Sequence, residues 1–231
     1  MTRAVTWSTP GSVNVVALAP GRRQVIGRAD TADIKIDDPT ISRAHLAITT
    51  APEPGGQHVL EHLSHTNPTL VNGQAVQGTT AIADGALIAI GDVRLTFHDL
   101  HARDTYSGPV CNVCGRENSS SDRDCWFCGE SLLNAPTTLR EMRKVEARVV
   151  SSSGGQGDLY AKQWLVLGPG DALNVHREKP ADDTVSVHVD DGRATLVDGR
   201  PGSNPAPAQV ATGMNVSVDD ARFGFIAREE P

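Results

Sequence analysis

Thr66-Asn67-Pro68-Thr69-Leu70-Val71-Asn72-Gly73, taken with Ser42-Arg43-Ala44-His45 and Gly27-Arg28 upstream of it, is the part of this chain that decides the fold. No two of these segments adjoin, yet each stands where a short apolar run gives way to polar and turn-forming residues, as a β-strand does on entering a loop. Loops of this kind converge at one end of a sandwich. Arg offers a planar fork of donors, Ser and Thr offer hydroxyls and Asn an amide, a set suited to surrounding a tetrahedral dianion such as a phosphorylated side chain.

Working outward, residues 13–19, 24–28, 33–36, 44–49, 59–62, 69–71, 86–90 and 93–98 are short, partly alternating runs punctuated by Gly, Pro, Asn and Asp. That spacing predicts an antiparallel β-sandwich. Asn72-Gly73 and Asp84-Gly85 read as tight turns, because their residues tolerate positive φ, and 51–56 reads as a Pro- and Gly-rich loop.

The order Gly-Arg, Ser-Arg-x-His, Thr-Asn-x-Thr, Val-Asn-Gly resembles the forkhead-associated (FHA) family, whose domain is a β-sandwich that recognises phosphothreonine. His65, Ser64 and Pro68 depart from it, standing where Ser, Gly and Gly are common. The resemblance implies that Arg28 engages the phosphate, Ser42 donates its hydroxyl, Arg43 contacts phosphate, Thr66 closes the pocket and Asn67 bonds the ligand backbone. It gives Gly27, His45, Asn72 and Gly73 the work of shaping the loops, with His45 bracing them from behind. His65 is read as an exposed loop residue, and the set His58, His62 and His65 is given little weight as a metal site.

The four cysteines form two close pairs, Cys111-x-x-Cys114-Gly115 and Cys125-x-x-Cys128-Gly129. Four thiolates in one short polar segment suit a closed, tetrahedral, structural Zn²⁺ site better than a disulfide framework. The segment resembles a zinc ribbon, with Asn118 and Leu132 in matching places. Trp126 and Phe127 are candidate stacking side chains and Arg116 and Arg123 candidate phosphate contacts for single-stranded RNA, a reading weakened by Glu117, Asp122 and Asp124.

Beyond the cysteines, 135–145 reads as holding a short helix capped by Thr137 or Thr138, with a strand from Val145 as its alternative. A phosphorylated Thr137 or Thr138 would lie within tether reach of the first module's pocket. Short strands return at 163–167, 184–189, 194–197, 214–218 and 222–227, and their landmarks echo the first module. Val166-Leu167-Gly168 answers Val25-Ile26-Gly27, Thr195 to Gly199 answers Thr69 to Gly73, and Gly213 to Phe225 answers Gly85 to Phe97. This predicts an internal repeat without the phosphate chemistry: Pro169 replaces Arg28, and Asp182, Asp183, Asp190 and Asp191 would repel an anion.

The expected fold is therefore all-β: an FHA-type antiparallel β-sandwich over 1–102, a four-cysteine zinc ribbon over 108–133, a linker over 134–146 and a second, smaller, degenerate FHA-like β-sandwich over 147–229. At 231 residues the chain has room for these modules, and a net charge of −7 with 4% aromatic residues argues against a nucleic-acid partner. No apolar run is long enough to insert in a membrane, the start has no sustained signal region, and a cytoplasmic location is expected. No nucleophile elbow, phosphate-binding glycine loop or open metal site points to an enzyme. The expectation is a non-catalytic adaptor in bacterial Ser/Thr kinase signalling, its partner a phosphothreonine-containing protein such as a kinase or its substrate. The alternative is a scaffold subunit using the same modules without phosphate dependence.

Overall fold

The computed structural model describes residues 2–53, 55–101, 109–116, 118, 122–133, 135, 144–203 and 206–228. Among them the only regular structure is β-strand and one 3-10 turn, Pro169–Asp171, so the chain is all-β. It divides into two compact units, Met1–Ala102 with Lys144–Pro231, and Arg103–Arg143. No helix of the described residues is long and apolar enough to cross a membrane.

The first sandwich has eleven strands: β1 (Arg3–Thr9), β2 (Ser12–Leu18), β3 (Arg23–Gly27), β4 (Ile34–Lys35), β5 (Leu46–Thr49), β6 (His58–His62), β7 (Thr69–Val71), β8 (Gln74–Ala75), β9 (Thr79–Ile82), β10 (Leu87–Ile90) and β11 (Val93–Asp99). They form one sheet of order β2-β1-β11-β10-β7-β8 and another of order β4-β3-β5-β6-β9. Ile26, Leu46, Ile48, Leu60, Ile88, Leu95 and Phe97 point between the sheets and are sealed from water. Each such side chain stabilises the fold by about 1.5–3 kcal/mol, which is why the alternating runs become strands.

The second sandwich has nine strands: β12 (Ala147–Ser151), β13 (Gln156–Leu159), β14 (Trp164–Leu167), β15 (Leu173–His176), β16 (Val185–Asp190), β17 (Arg193–Asp198), β18 (Ala208–Gln209), β19 (Asn215–Val218) and β20 (Ala221–Ala227). Its sheets run β13-β12-β20-β19 and β15-β14-β16-β17-β18. Strand for strand, this is the order of the first sandwich with the β7-β8 hairpin removed. Gly213 and Phe225 repeat the backbone pairing of Gly85 and Phe97: the glycine N–H donates to the Phe carbonyl at 3.0 Å in the second sandwich and 2.9 Å in the first.

One sequence correspondence fails. Thr195 to Gly199 ends β17, which pairs with β16 and β18 and so stands where β6 stands in the first sandwich, not where β7 does. The likeness to Thr69 to Gly73 reflects a shared need for a strand ending in a turn.

The two sandwiches pack through β1 and β2 on one side and β12 and β20 on the other. Ala4, Val13, Leu100, Val145, Val150 and Ile226 form an apolar cluster between them. Gly224 permits this approach: a Cβ there would lie 2.6 Å from a methyl of Val15. At the centre sits Arg148, 3% exposed, donating to both oxygens of Asp84 at 2.7 and 3.0 Å and of Asp158 at 2.6 and 3.0 Å. Arg148 also donates to His98 Nδ1 at 3.1 Å, which leaves His98 Nε2–H to donate to Thr6 Oγ1 at 2.8 Å. Burial, first, and then the Arg148 charge push the pKa of His98 down to about 3.

This packing explains why the strand Arg3–Thr9 is absent from the sequence expectation. Both of its faces are covered, so Ala4 and Thr6 are as buried as Val5, and the alternation in its sequence is confined to Val5, Thr6, Trp7 and Ser8. Strands β8, β9, β13, β15 and β18 have no counterpart among the expected runs either. The strand expected over 44–49 starts later, at Leu46, because the Ser42 and Arg43 carbonyls are engaged by the loop after β3. Residues 137–143 of the expected helix, with Thr137 and Thr138, lie outside the described residues; Lys144 to Glu146 are not helical and the strand begins at Ala147.

Candidate functional site

The loops after β3, β4 and β6 meet at one end of the first sandwich around a cavity of about 540 Å³. Arg28, Ser42, Arg43, Thr66 and Asn67 all line it, together with Thr40, Ser64 and His65. The meeting is held by backbone. Arg28 N–H donates to the Ser42 carbonyl at 3.0 Å and Ala29 N–H to the Arg43 carbonyl at 3.2 Å. Gly27 is needed because a Cβ there would collide with the Arg43 carbonyl.

His45 lies beneath the cavity and is fully buried. Its Nδ1 accepts the Ser42 N–H at 3.1 Å, while its carbonyl accepts the N–H groups of Leu63 at 2.9 Å and Ser64 at 3.0 Å. Burial lowers its pKa, the Pro68 backbone opposing, so the ring is neutral and Nδ1 is free to accept. Asn72 and Gly73 shape the adjoining hairpin at φ 50 and 81, and Asn72 Oδ1 accepts the Leu87 N–H at 2.9 Å. They lie outside the cavity lining.

Three hydroxyls gather on the cavity floor. Ser42 Oγ shares hydrogen bonds with Ser64 Oγ at 2.7 Å and Thr66 Oγ1 at 3.0 Å. Ser64 Oγ also accepts the N–H groups of Thr66 at 3.2 Å and Asn67 at 3.1 Å, fixing the loop that presents them. Asn67 Nδ2 donates to the Thr40 carbonyl at 2.6 Å, leaving its Oδ1 for another donor. Sequence reasoning gives Ser64 and Thr40 no role in the site; their only sequence signal is adjacency to Thr66 and Ser42.

Charge distinguishes this cavity from its surroundings. Elsewhere on the same sandwich four cations are matched, Arg22 with Asp33 at 2.8 Å, Arg23 with Glu61 at 2.7 Å, Lys35 with Asp30 at 2.6 Å and Arg3 with Asp99 at 3.4 Å, while Arg94 turns to the Gly91 and Val93 carbonyls. Among the described residues Arg28 and Arg43 have no carboxylate partner, and no Asp or Glu lines the cavity. Two guanidiniums without carboxylate partners, lining one cavity with three hydroxyls, can take an anion without first breaking an ion pair.

The three histidines considered for metal are separated in purpose. His58 Nε2 donates to Asp99 at 2.9 Å, His62 Nδ1 bonds Thr69 Oγ1 at 2.8 Å, and His65 stands exposed at the cavity.

In the other unit the four cysteine Sγ atoms lie within 4.8 Å of one another, the only such group of potential metal ligands found among the described residues. Cys111 and Cys128 are 3.6 Å apart and Cys114 and Cys125 3.5 Å. A tetrahedral zinc with Zn–S bonds of about 2.3 Å needs sulfurs roughly 3.8 Å apart, so the donor set fits that ion. Each knuckle closes in the same way, Gly115 N–H donating to the Cys111 carbonyl and Gly129 N–H to the Cys125 carbonyl, both at 2.9 Å. Asn118 ties the two together: its Nδ2 donates to the Arg116 carbonyl at 2.8 Å and its Oδ1 accepts the Trp126 N–H at 3.0 Å. Leu132 packs against Cys111 and Cys125. Trp126 and Phe127 are exposed, but the Arg116 guanidinium lies 3.7 Å from the Phe127 ring centre and so occupies one face of that ring itself.

Residues 24–91 match the family model of the FHA domain: the chain carries an FHA domain. Solved structures similar to it include the FHA domain of the CT664 protein of Chlamydia trachomatis, at 20% identity over 43% of this chain and 98% of that one, with a TM-score of 0.40. Another, from work on phosphothreonine-dependent FHA domain interactions, is 28% identical over 43% of this chain and 97% of that one, with a TM-score of 0.38. The N-terminal FHA domain of S. cerevisiae RAD53P, in complex with a phosphothreonine peptide, is 20% identical over 42% and 93%, with a TM-score of 0.37. A search of the curated proteins found no match.

Proposed function

We propose that this protein is a non-catalytic, phosphothreonine-dependent adaptor of bacterial Ser/Thr kinase signalling, working in the cytoplasm. The observation that carries the reading is the pair Arg28 and Arg43, unmatched by any carboxylate among the described residues and set over the Ser42, Ser64 and Thr66 hydroxyls. A phosphothreonine brings about −1.5 to −2 charges and three acceptor oxygens, which Arg28 and Arg43 would bind from the sides and Ser42 and Thr66 from below. Asn67 Oδ1 would accept an N–H of the ligand backbone. The partner is a phosphothreonine-bearing protein, a kinase or its substrate.

The four-cysteine segment holds structural Zn²⁺ in this reading. The ion supplies a cross-link between the two knuckles, and Asn118 and Leu132 complete their packing. The second sandwich is a degenerate FHA-like domain, a view supported by its strand order and by the missing β7-β8 hairpin.

The test is calorimetric titration of the full chain with degenerate phosphothreonine, phosphoserine and unphosphorylated peptide pools. Binding confined to the phosphothreonine pool supports the proposal. No binding to any pool would hand the molecule to the scaffold reading.

A further inference from the structure

We infer that the partner's chain does not stop at the phosphate cavity but continues into a second groove that the two sandwiches build together. This rests on the phosphothreonine reading above and adds to it a specificity surface that an isolated FHA sandwich could not offer. The groove has a volume of about 510 Å³. Its first wall is Thr6, Leu87 and Thr96 of the FHA sandwich, with Arg94 bonding the Gly91 and Val93 carbonyls beside them, and its second is the β12-β13 hairpin, where Ser153 and Gln156 line it.

Continuity with the phosphate cavity is the main argument. Pro39 and Thr40 line the cavity, and Asp38, the next residue back, lines the groove. Thr40 joins the two structurally: its carbonyl accepts from Asn67 at 2.6 Å, and its Oγ1 accepts the N–H of Asp92, another groove residue, at 3.0 Å. A chain leaving the phosphate site over this ridge meets Asp38 and Asp92 first and Leu87 next. Leu87 keeps 60% of its surface in water despite lying in a central strand of its sheet. The segment that fits is extended, with a basic side chain near the phosphothreonine for the two carboxylates and an apolar side chain beyond it for Leu87.

The inference is tested on the full chain with two degenerate phosphothreonine pools, one about seven residues long and one about nineteen, the second carrying further chain beyond the phosphothreonine at ~3.3 Å per residue. The longer pool should bind about tenfold tighter. Leu87→Asp and Gln156→Asp, one on each wall, should each remove most of that gain while leaving the short pool unaffected. Equal affinity for the two pools, or a gain that survives both substitutions, overturns the groove and leaves the phosphothreonine reading standing. Failure of both pools to bind overturns the two together.

Discussion

The two sandwiches share a strand order and differ in what their loops carry. In the FHA sandwich the turn after β3 presents Arg28, and the loop before β5 presents Ser42 and Arg43, all facing one cavity. At the corresponding place after β14 the second sandwich has Pro169, the start of a 3-10 turn. Its neighbouring loops neutralise cations they carry: Lys179 with Asp182 at 2.5 Å and Arg200 with Asp198 at 2.6 Å. These pairs hold the Asp182 and Asp198 carboxyls below their usual range, through the hydrogen bond from the basic side chain in each case. A common strand order thus carries loop cations without carboxylate partners at one end and paired ones at the other. The second sandwich packs through β12 and β20 against β1 and β2 of the first.

The largest effect should come from breaking that packing. Arg148→Ala leaves Asp84 and Asp158 facing each other without their cation, and loss of one partner of a buried ion pair costs about 3–5 kcal/mol. Denaturant unfolding of wild type and variant measures it. A loss under about 1 kcal/mol would mean that the sandwiches are joined by their apolar cluster alone.

Next comes the cation that distinguishes the two ends. Arg28→Ala should weaken phosphothreonine peptide binding by at least about 100-fold, since each charge-assisted hydrogen bond is worth ~1.5–3 kcal/mol and Arg can make two. Its melting temperature should not move, because Arg28 has no ion-pair partner among the described residues to lose. Calorimetry and thermal melts on the same samples separate the two effects.

The interface should also respond to acid. His98 has its pKa lowered to about 3 in the folded chain from the usual 6.5, so the unfolded chain binds a proton first as pH falls. Stability from this group is complete above 6.5, declines by about 1.4 kcal/mol per pH unit below it and levels off near 3. His98→Gln should flatten that slope in urea titrations run across the window. An unchanged slope would remove His98 from the account.

Ser64→Ala should cost about 1 kcal/mol of binding, through loosening of the Thr66 and Asn67 N–H groups. Pro169→Arg sharpens the comparison from the other side: a single cation added among the paired loops of the second sandwich should create no measurable phosphate affinity.

Much of this is legible in the sequence, and the failures have physical causes. The cavity residues can be read because each ends an apolar run, and the cysteines because their spacing is local. Ser64 cannot be separated from any loop serine without knowing that Ser42 folds back against it. Arg148 gives no signal, because one of its two carboxylate partners, Asp84, lies 64 positions away and that pairing arises only when two sandwiches pack. β1 carries only a short alternation, Val5 and Trp7 against Thr6 and Ser8, with buried polar Arg3 and Thr6, one on each face, weakening the period-2 pattern. Thr195 to Gly199 misleads because strand ends that lead into turns look alike wherever they stand in a sheet.

The central claim is that only one of two like-built ends takes the phosphate. Backbone amide NMR of the full chain during titration with a phosphothreonine peptide pool tests it most directly. Shifts should concentrate at Arg28, Ser42, Arg43, Thr66 and Asn67 and leave 168–172, 177–184 and 199–203 unmoved. Shifts centred on those second-sandwich loops, or on the cysteine segment, would contradict it.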